Sequence, residues 1–178
     1  MSINIMIHKY RFKKITLSIA FLISMGGCID FTNYKLSDLQ DSKEILVQKA
    51  VTAFEKGDVA TVSSLALNAD EHNTMFWNHV GEKFSSDQGM SPQLAYDHMT
   101  MESNIVVKEL LFKLEGKDFV FQKLECKREP EKYGPFTLHL GCRTTLYSPS
   151  TKETLTLSSF RSILEYKGKF KLYHLKRE

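Results

Sequence analysis

The sequence predicts an α+β fold in which N-terminal helices pack on a curved antiparallel β-meander of four to five strands, after a cleaved signal peptide. Three observations lead to this prediction. A short apolar run follows a basic N-terminus and ends near Cys28. Apolar residues then recur at helical spacing between residues 42 and 101. From residue 119 onward, apolar and polar residues alternate, as they do in antiparallel strands.

The first 27 residues have the composition of a signal peptide. Four bases, Lys9, Arg11, Lys13 and Lys14, come before the apolar run 15–23, and no acid lies among them. A bilayer-spanning helix needs about 20 apolar residues, so this run is too short to span. It matches the apolar core of a secretory signal, which has roughly 7–15 residues. We therefore expect export of the chain and removal of residues 1–27.

The segment Met25-Gly26-Gly27-Cys28 resembles the lipobox of bacterial lipoproteins, in which an aliphatic residue and two small residues precede a cysteine. The resemblance implies that the Cys28 thiol receives a lipid and becomes the first residue of the mature protein. Several acyl chains on one residue, palmitate among them, give a stable membrane anchor. Ile29 rather than an acid follows Cys28, which favours the outer membrane, facing the periplasm. The alternative is ordinary cleavage after Gly26, which would release a free protein.

Composition bounds the remaining chain. The whole sequence has 24 basic and 21 acidic residues, but the leader's four bases leave 20 basic residues and a net charge of −1 after cleavage. Strong positive charge, the usual sign of nucleic-acid binding, is therefore absent, and we expect no nucleic-acid partner. We divide the chain into a leader (1–27), a lipid-anchored tether (28–41) and a single α+β domain (42–178).

Three cysteines are an odd number for an exported protein. Lipid on Cys28 leaves Cys126 and Cys142 to pair. A hairpin centred on Gly134 places them opposite each other, because each lies eight residues from that glycine. Both lie on the apolar phase of their strands, and an exported protein meets an oxidising compartment. We predict a cross-strand disulfide; the alternative is two reduced cysteines in the core.

Four helices are predicted before the sheet. Asp41 with Glu44 three residues later resembles a capping box, and Gly57 ends the first helix. Ser91 and Pro92 suit the cap and first residue of the last helix. The predicted ranges are 42–56, 59–67 (capped by Asp58), about 75–84, and 92 to about 101.

Residues 105–114 have no clear period and suit either a helix or a strand. We favour a strand that begins at Ile105. Four further strands are predicted over 119–128, 136–148, 153–166 and 169–175, the last two joined by a tight turn at Lys167-Gly168.

Alternation assigns the inward side chains of the first two long strands. In the third, Leu155 and Leu157 share one phase, whereas Phe160 and Leu164 share the other. A bulge near Ser158-Ser159 would bring all four to one face. Without it, the strand would bury Ile163 and turn Phe160 away. The inward residues predicted for the first two strands are Val120, Gln122, Leu124, Cys126, Phe136, Leu138, Leu140, Cys142, Thr144 and Leu146.

The order of elements is similar to that of the nuclear-transport-factor-2-like (cystatin-like cone) proteins. Two segments carry the resemblance, the turn Glu55-Lys56-Gly57-Asp58 and the hairpin Tyr166-Lys167-Gly168-Lys169-Phe170-Lys171-Leu172-Tyr173. It covers about residues 42–176 and implies helices packed on the concave face of a curved sheet. Fold alone does not give function.

Candidate catalytic groups are scarce on the predicted inner face. Gln122, Thr144 and Ser162 are poor acids or bases near neutral pH. Glu125, His139 and Arg143 fall on the outer phase, and Arg161 and Glu165 do so only if the bulge exists. We therefore expect no catalytic residue. An enzyme would instead require Glu125, His139 or Glu165 to lie in a pocket with a perturbed pKa.

Other candidate sites have simpler interpretations. His72 and His79 lie seven residues apart, but a metal site needs three or four converging ligands, so we predict no metal and no cofactor. Phe76 and Trp77 suit a core as well as a ligand-facing pair. The bases at the C-terminal end suit anionic headgroups or, as we favour, protection of an edge strand. They are Lys167, Lys169, Lys171, Lys176 and Arg177.

The sequence thus favours a cell-envelope lipoprotein with a non-catalytic periplasmic domain, which binds an envelope protein or a small apolar ligand. The alternatives are a periplasmic immunity protein that neutralises a toxin, and an enzyme that uses a cone pocket. A cavity between helices and sheet would favour a small ligand, and a filled interior would favour a protein partner.

Overall fold

The computed structural model describes residues 34–80 and 89–177, and in them four helices precede seven strands. The predicted α+β order is therefore confirmed. The leader, Cys28 and Phe84 lie outside the described residues. The helices are α1 (Lys43–Glu55), α2 (Val59–Leu65), the π-helical α3 (Glu71–Phe76) and α4 (Pro92–Leu114). The strands are β1 (Val120–Cys126), β2 (Glu131–Tyr133), β3 (Phe136–Leu140), β4 (Cys142–Tyr147), β5 (Thr154–Leu157), β6 (Ser162–Tyr166) and β7 (Lys169–His174).

Short polar side chains begin three of the helices. Ser42, and not Asp41, caps α1, since its Oγ accepts the backbone N–H of Ile45 at 3.1 Å. Asp58 caps α2 and Ser91 caps α4, both as predicted. Each satisfies an N–H group that the first turn of a helix leaves without a partner.

The predicted strand from Ile105 is wrong, because α4 continues through it to Leu114. Val106, Leu110 and Leu114 are buried at four-residue spacing, which places them on one side of a helix. The β-branched residues at 105–107 favoured a strand locally, but packing of this side against the core overrides that preference.

The strands form two antiparallel sheets instead of one, with the orders β1-β4-β5 and β2-β3-β6-β7. Two predicted long strands are each divided between them. Gly141, with a φ of +66°, separates β3 from β4, and residues 158–161 separate β5 from β6. Backbone hydrogen bonds from Lys127 to Gly141 (3.4 Å) and from Cys142 to Arg161 (3.3 Å) continue between the sheets.

The predicted faces need correction on three strands. On the second, Cys142 and Leu146 lie on the helix side, whereas Phe136 and Leu138 lie on the opposite face of their sheet, so these residues do not share one inward face. On β1 the register shifts between Phe121 and Lys123, which leaves Val120 47% exposed and Gln122 exposed. Neither alternative for the third strand holds. The break at 158–161 buries Phe160 together with Ile163 on the helix side, and turns Leu164 to the opposite face of its sheet.

Two apolar clusters result. The larger lies between the helices and the sheets and includes Leu46, Phe54, Leu110, Leu146 and Phe160, each no more than 1% exposed. The smaller covers the opposite face of the four-stranded sheet, where Phe136 and Leu164 pack against Phe76 of α3 and against residues 34–39. This second layer was not predicted.

Two local predictions are confirmed. Cys126 and Cys142 are partners across β1 and β4 and form a disulfide. Lys167 and Gly168 both have positive φ, 51° and 72°, as a primed two-residue hairpin turn requires.

Candidate functional site

Residues 34–41, the described part of the predicted tether, pack against the domain. Tyr34 stacks on Phe136 with ring centroids 5.7 Å apart. Gln40 exchanges two backbone hydrogen bonds with Phe170, at 2.9 and 2.8 Å, and so covers the edge strand β7. Only residues 29–33 therefore lie between Cys28 and the first described residue.

A buried ion pair fixes this segment. The Lys171 Nζ lies 2.9 Å from the Glu71 Oε2, and the two side chains are 1% and 3% exposed. The Lys171 ammonium also donates to the Ser37 carbonyl at 2.9 Å, and the Ser37 N–H donates to Glu71 at 2.6 Å. Burial raises the pKa of Glu71, but hydrogen bonds from Lys171, Ser37 and Asn68 outweigh burial and lower it.

The predicted basic cluster is therefore dispersed. Lys171 is buried in its pair with Glu71, Lys169 pairs with Asp41, and Arg177 lies 2.9 Å from Glu109. Backbone pairing covers the edge strand at two places, at Phe170 through Gln40 and at Leu172 through Leu67, whose N–H donates to the Leu172 carbonyl at 2.9 Å.

Two acid and base candidates of the enzyme alternative, His139 and Glu165, are paired with each other, and Glu125 has a separate partner. His139 Nε2 lies 2.7 Å from Glu165 Oε2, with the side chains 12% and 30% exposed. Glu125 instead pairs with Lys123 at 3.2 Å, where both side chains are more than half exposed. Thr144 is buried as predicted, but a hydroxyl without a neighbouring base is not a nucleophile.

The two histidines considered for a metal have separate partners. Buried His72 bonds to Asn73 at 2.7 Å, whereas His79 bonds to the Tyr34 hydroxyl at 3.2 Å. Burial lowers the pKa of both imidazoles. Within the described part of the chain, no three His, Cys, Asp or Glu side chains are grouped to hold a metal ion. Phe76 is 1% exposed and belongs to the core.

The side chains suited to bind a ligand surround a cleft of about 250 Å³ between α2, α4 and the end of β7. Its walls are mostly apolar and aromatic, with a few amide and hydroxyl groups. Ligand sites generally combine such walls with a small number of polar groups that fix orientation. The lining includes Val62, Ala66, Leu67, Tyr96, Met99, Ser103, Asn104, Val107, Tyr173 and His174.

His174 is the distinctive polar group of this cleft. Its Nδ1 is buried and has no hydrogen-bond partner among the described residues, and its Nε2 lies 4.0 Å from a Glu102 oxygen. Burial lowers the pKa of His174 to about 4, although Glu102 opposes this shift. The imidazole is therefore neutral near pH 7. Burial likewise raises the pKa of the adjacent Tyr173 to about 12.

His174 was not predicted, although the sequence contains a signal for it. On β7, Phe170, Leu172 and His174 share one phase, and Leu172 is fully buried in the core on the helix side. Strand alternation alone thus places this histidine on the inner side. The other wall of the cleft is formed by α4, whose second half the sequence predicts as a strand.

The larger apolar cluster fills the space between α1 and the sheets. The cleft lies beside this filled core, where α2 and α4 meet the end of β7. In residues 34–80 and 89–177, no helix has both the length and the apolar character to span a bilayer. Comparison with protein-family models, curated proteins and solved structures gives no match. The cone-like family resemblance stays a prediction.

Proposed function

We propose that the chain is a cell-envelope lipoprotein, anchored through Cys28, whose non-catalytic domain binds a small and mostly apolar molecule in the cleft between α2, α4 and β7. The observation that carries the binding proposal is that His174 lines an apolar cleft and has a buried Nδ1 without a hydrogen-bond partner among the described residues. A buried polar atom without a partner costs about 1–3 kcal/mol, which a ligand's hydrogen bond would recover.

The disulfide supports the anchoring proposal. It uses Cys126 and Cys142, so Cys28 is the remaining thiol, and disulfides persist mainly in oxidising compartments. Between Cys28 and the docked Tyr34, the chain spans at most about 20 Å when extended. The domain would then lie close to the bilayer surface.

The groups around His174 support binding over catalysis. A nucleophile needs an adjacent base that takes its proton. The nearby Ser103 hydroxyl donates to the Leu175 carbonyl at 3.2 Å and accepts the Leu175 N–H at 3.1 Å. A histidine with a pKa of about 4 is also a weak general base at neutral pH.

The anchor is tested by expressing the full chain in a bacterial cell and analysing the envelope fraction. We expect mass spectrometry to find a mature N-terminus at Cys28 carrying acyl chains. The variant Cys28→Ala should move the protein from the membrane fraction to the soluble fraction. A bare thiol at residue 28, or an intact leader in the native protein, would overturn the anchoring proposal.

The cleft is tested with neighbouring substitutions on α2. Ser63 lies at the cleft, whereas Ser64 does not line it, and both residues are exposed. We expect Ser63→Trp to block the cleft and Ser64→Trp to leave it open. Extraction of the purified lipoprotein followed by mass spectrometry should recover a small apolar compound from the wild type and Ser64→Trp, and much less from Ser63→Trp. Equal recovery from all three, or none from the wild type, would contradict ligand binding in this cleft.

A further inference from the structure

The outer face of α4 carries four large apolar side chains that the described residues leave exposed. Leu94 is 46% exposed, Met101 65%, Ile105 40% and Phe112 91%. At 3.6 residues per turn they lie within about 40° of one another, in a stripe about 27 Å long. We call these residues the α4 stripe.

The α4 stripe lies on the side of the helix opposite the core. Val106, Leu110 and Leu114, which face the core, are centred about 160° away from it around the helix axis. A helix that is apolar on two opposite sides is expected to be buried on both. The core covers one side, so the stripe has the character of a contact surface.

The order of residues along this surface is palindromic. Leu94 and Phe112 lie nine residues on either side of position 103, and Met101 and Ile105 lie two residues on either side. The two positions that continue the stripe, His98 and Lys108, are also symmetric about position 103, five residues away from it. Reading the stripe from either end of the helix therefore gives the same order of apolar and basic residues.

A two-fold interface between identical chains is self-complementary, because residue i of one copy contacts residue j of the other and the reverse contact also occurs. The symmetric order of the α4 stripe allows it to meet this condition with an antiparallel partner. We propose that the chain forms a homodimer in which the α4 stripes of two copies pack antiparallel. Leu94 of each copy then packs against Phe112 of the other, and Met101 packs against Ile105. This inference is independent of the proposed ligand.

The charges select the antiparallel arrangement. A parallel pair would place Lys108 beside Lys108 and His98 beside His98. The antiparallel pair separates the two lysines and brings Lys108 of each copy near Asp97 of the other. The exposed acid Asp97 flanks the stripe on the same edge as Lys108, the edge that two antiparallel copies bring together.

The other edge of the stripe carries acids as well. Glu102 and Glu109 lie there. Arg177 of the same chain neutralises part of their charge. Its guanidinium lies 2.9 Å from Glu109, and its backbone N–H donates to Glu102 at 3.3 Å. Acids on both edges disfavour insertion of the stripe into an anionic lipid surface. A second copy fits this surface better than a membrane.

The arrangement is tested by disulfide cross-linking of the full-length lipoprotein in envelope preparations. Leu94→Cys alone and Phe112→Cys alone should give no cross-linked dimer, because like positions lie at opposite ends of an antiparallel pair. The double variant L94C/F112C should cross-link into a dimer. Cross-linking of either single variant would indicate a parallel pair, and absence of cross-linking in the double variant would overturn the proposal.

A second measurement does not depend on introduced thiols. We expect the detergent-solubilised wild type to sediment as a dimer, and Met101→Glu to weaken dimerisation about 100-fold, because a buried unpaired charge costs roughly 3 kcal/mol or more. Gln48→Glu, on an exposed position of α1, should remain dimeric. The circular dichroism spectra of both variants should match the wild type. A monomeric wild type, or a dimeric Met101→Glu, would refute the interface.

Discussion

Glu71 and Lys171 lie 100 residues apart in the sequence and form a buried ion pair in the structure. Each charged group also has hydrogen bonds to Ser37, so the pair joins α3, β7 and the segment before α1. This segment leads from the predicted lipid anchor. The pair thus holds the entry of the chain against the edge of the sheet.

Loss of Lys171 should destabilise the fold strongly. Lys171→Met leaves the Glu71 carboxylate buried without its counter-ion, and we expect the free energy of unfolding to fall by about 3–5 kcal/mol. Lys169→Met, on the same strand, removes only an exposed pair with Asp41 and should cost less than about 1 kcal/mol. Urea denaturation of the two variants measures the difference. Equal losses would show that the buried pair has no special role.

The same pair predicts sensitivity to acid. The folded-state pKa of Glu71 is depressed, so its stabilising contribution is present above the unfolded-state pKa and is lost as pH falls through the folded-state pKa. We expect the free energy of unfolding to fall as the solution is acidified below the ordinary range of carboxyl groups. In Glu71→Gln this part of the pH dependence should be absent. Parallel pH profiles of the two proteins below pH 4 would contradict the assignment.

His174 predicts a second, separate pH dependence at milder acidity. Its folded-state pKa of about 4 lies below the usual 6.5, so the unfolded chain binds more protons between these values. Stability should therefore fall by roughly 3 kcal/mol as pH decreases from 6.5 to 4. His174→Gln should reduce this slope, although burial of His72 and His79 leaves part of it.

The disulfide should contribute most of its effect by restricting the unfolded chain. Cys126 and Cys142 are 16 residues apart, a loop for which closure entropy gives about 3 kcal/mol. We expect the double variant C126A/C142A to lose about that much stability, and a reducing agent to lower the melting temperature of the wild type. Cys28→Ala, which leaves this bond intact, should show neither effect. Unchanged stability in the double variant would contradict this expectation.

Local signals were sufficient to predict the α+β order, the disulfide and the turn at Lys167-Gly168, because each depends on spacing within one or two neighbouring elements. The extent of α4 could not be predicted in this way. Ile105 and Phe112 are exposed on its outer face, so apolar residues occur on both sides and hide the helical period.

The buried pair of Glu71 and Lys171 was beyond local reasoning for a different reason. Lysine and glutamate are almost always exposed, and only contact between α3 and β7, far apart in the sequence, makes their burial favourable. The division into two sheets likewise depends on Gly141, a residue whose positive φ is a property of the folded chain. The candidate cleft lies where α4 meets β7. It could therefore not be predicted while the extent of α4 and the arrangement of the sheets were unknown.

The turn at Gly134 gives a prediction with a matched control at Gly168. Both glycines have positive φ, 56° and 72°, so alanine at either site costs about 1–2 kcal/mol of backbone strain. At Gly134 a Cβ atom would also lie 2.7 Å from Cε1 and 2.8 Å from Cγ of His79, whereas no atom lies within 4 Å of a Cβ at Gly168.

The His79 ring is held by Tyr34 and packs against Phe136, so it cannot move aside without loss of contacts. We therefore expect Gly134→Ala to cost about 1–3 kcal/mol more than Gly168→Ala in urea denaturation. Equal costs would show that His79 does not pack against this turn in solution.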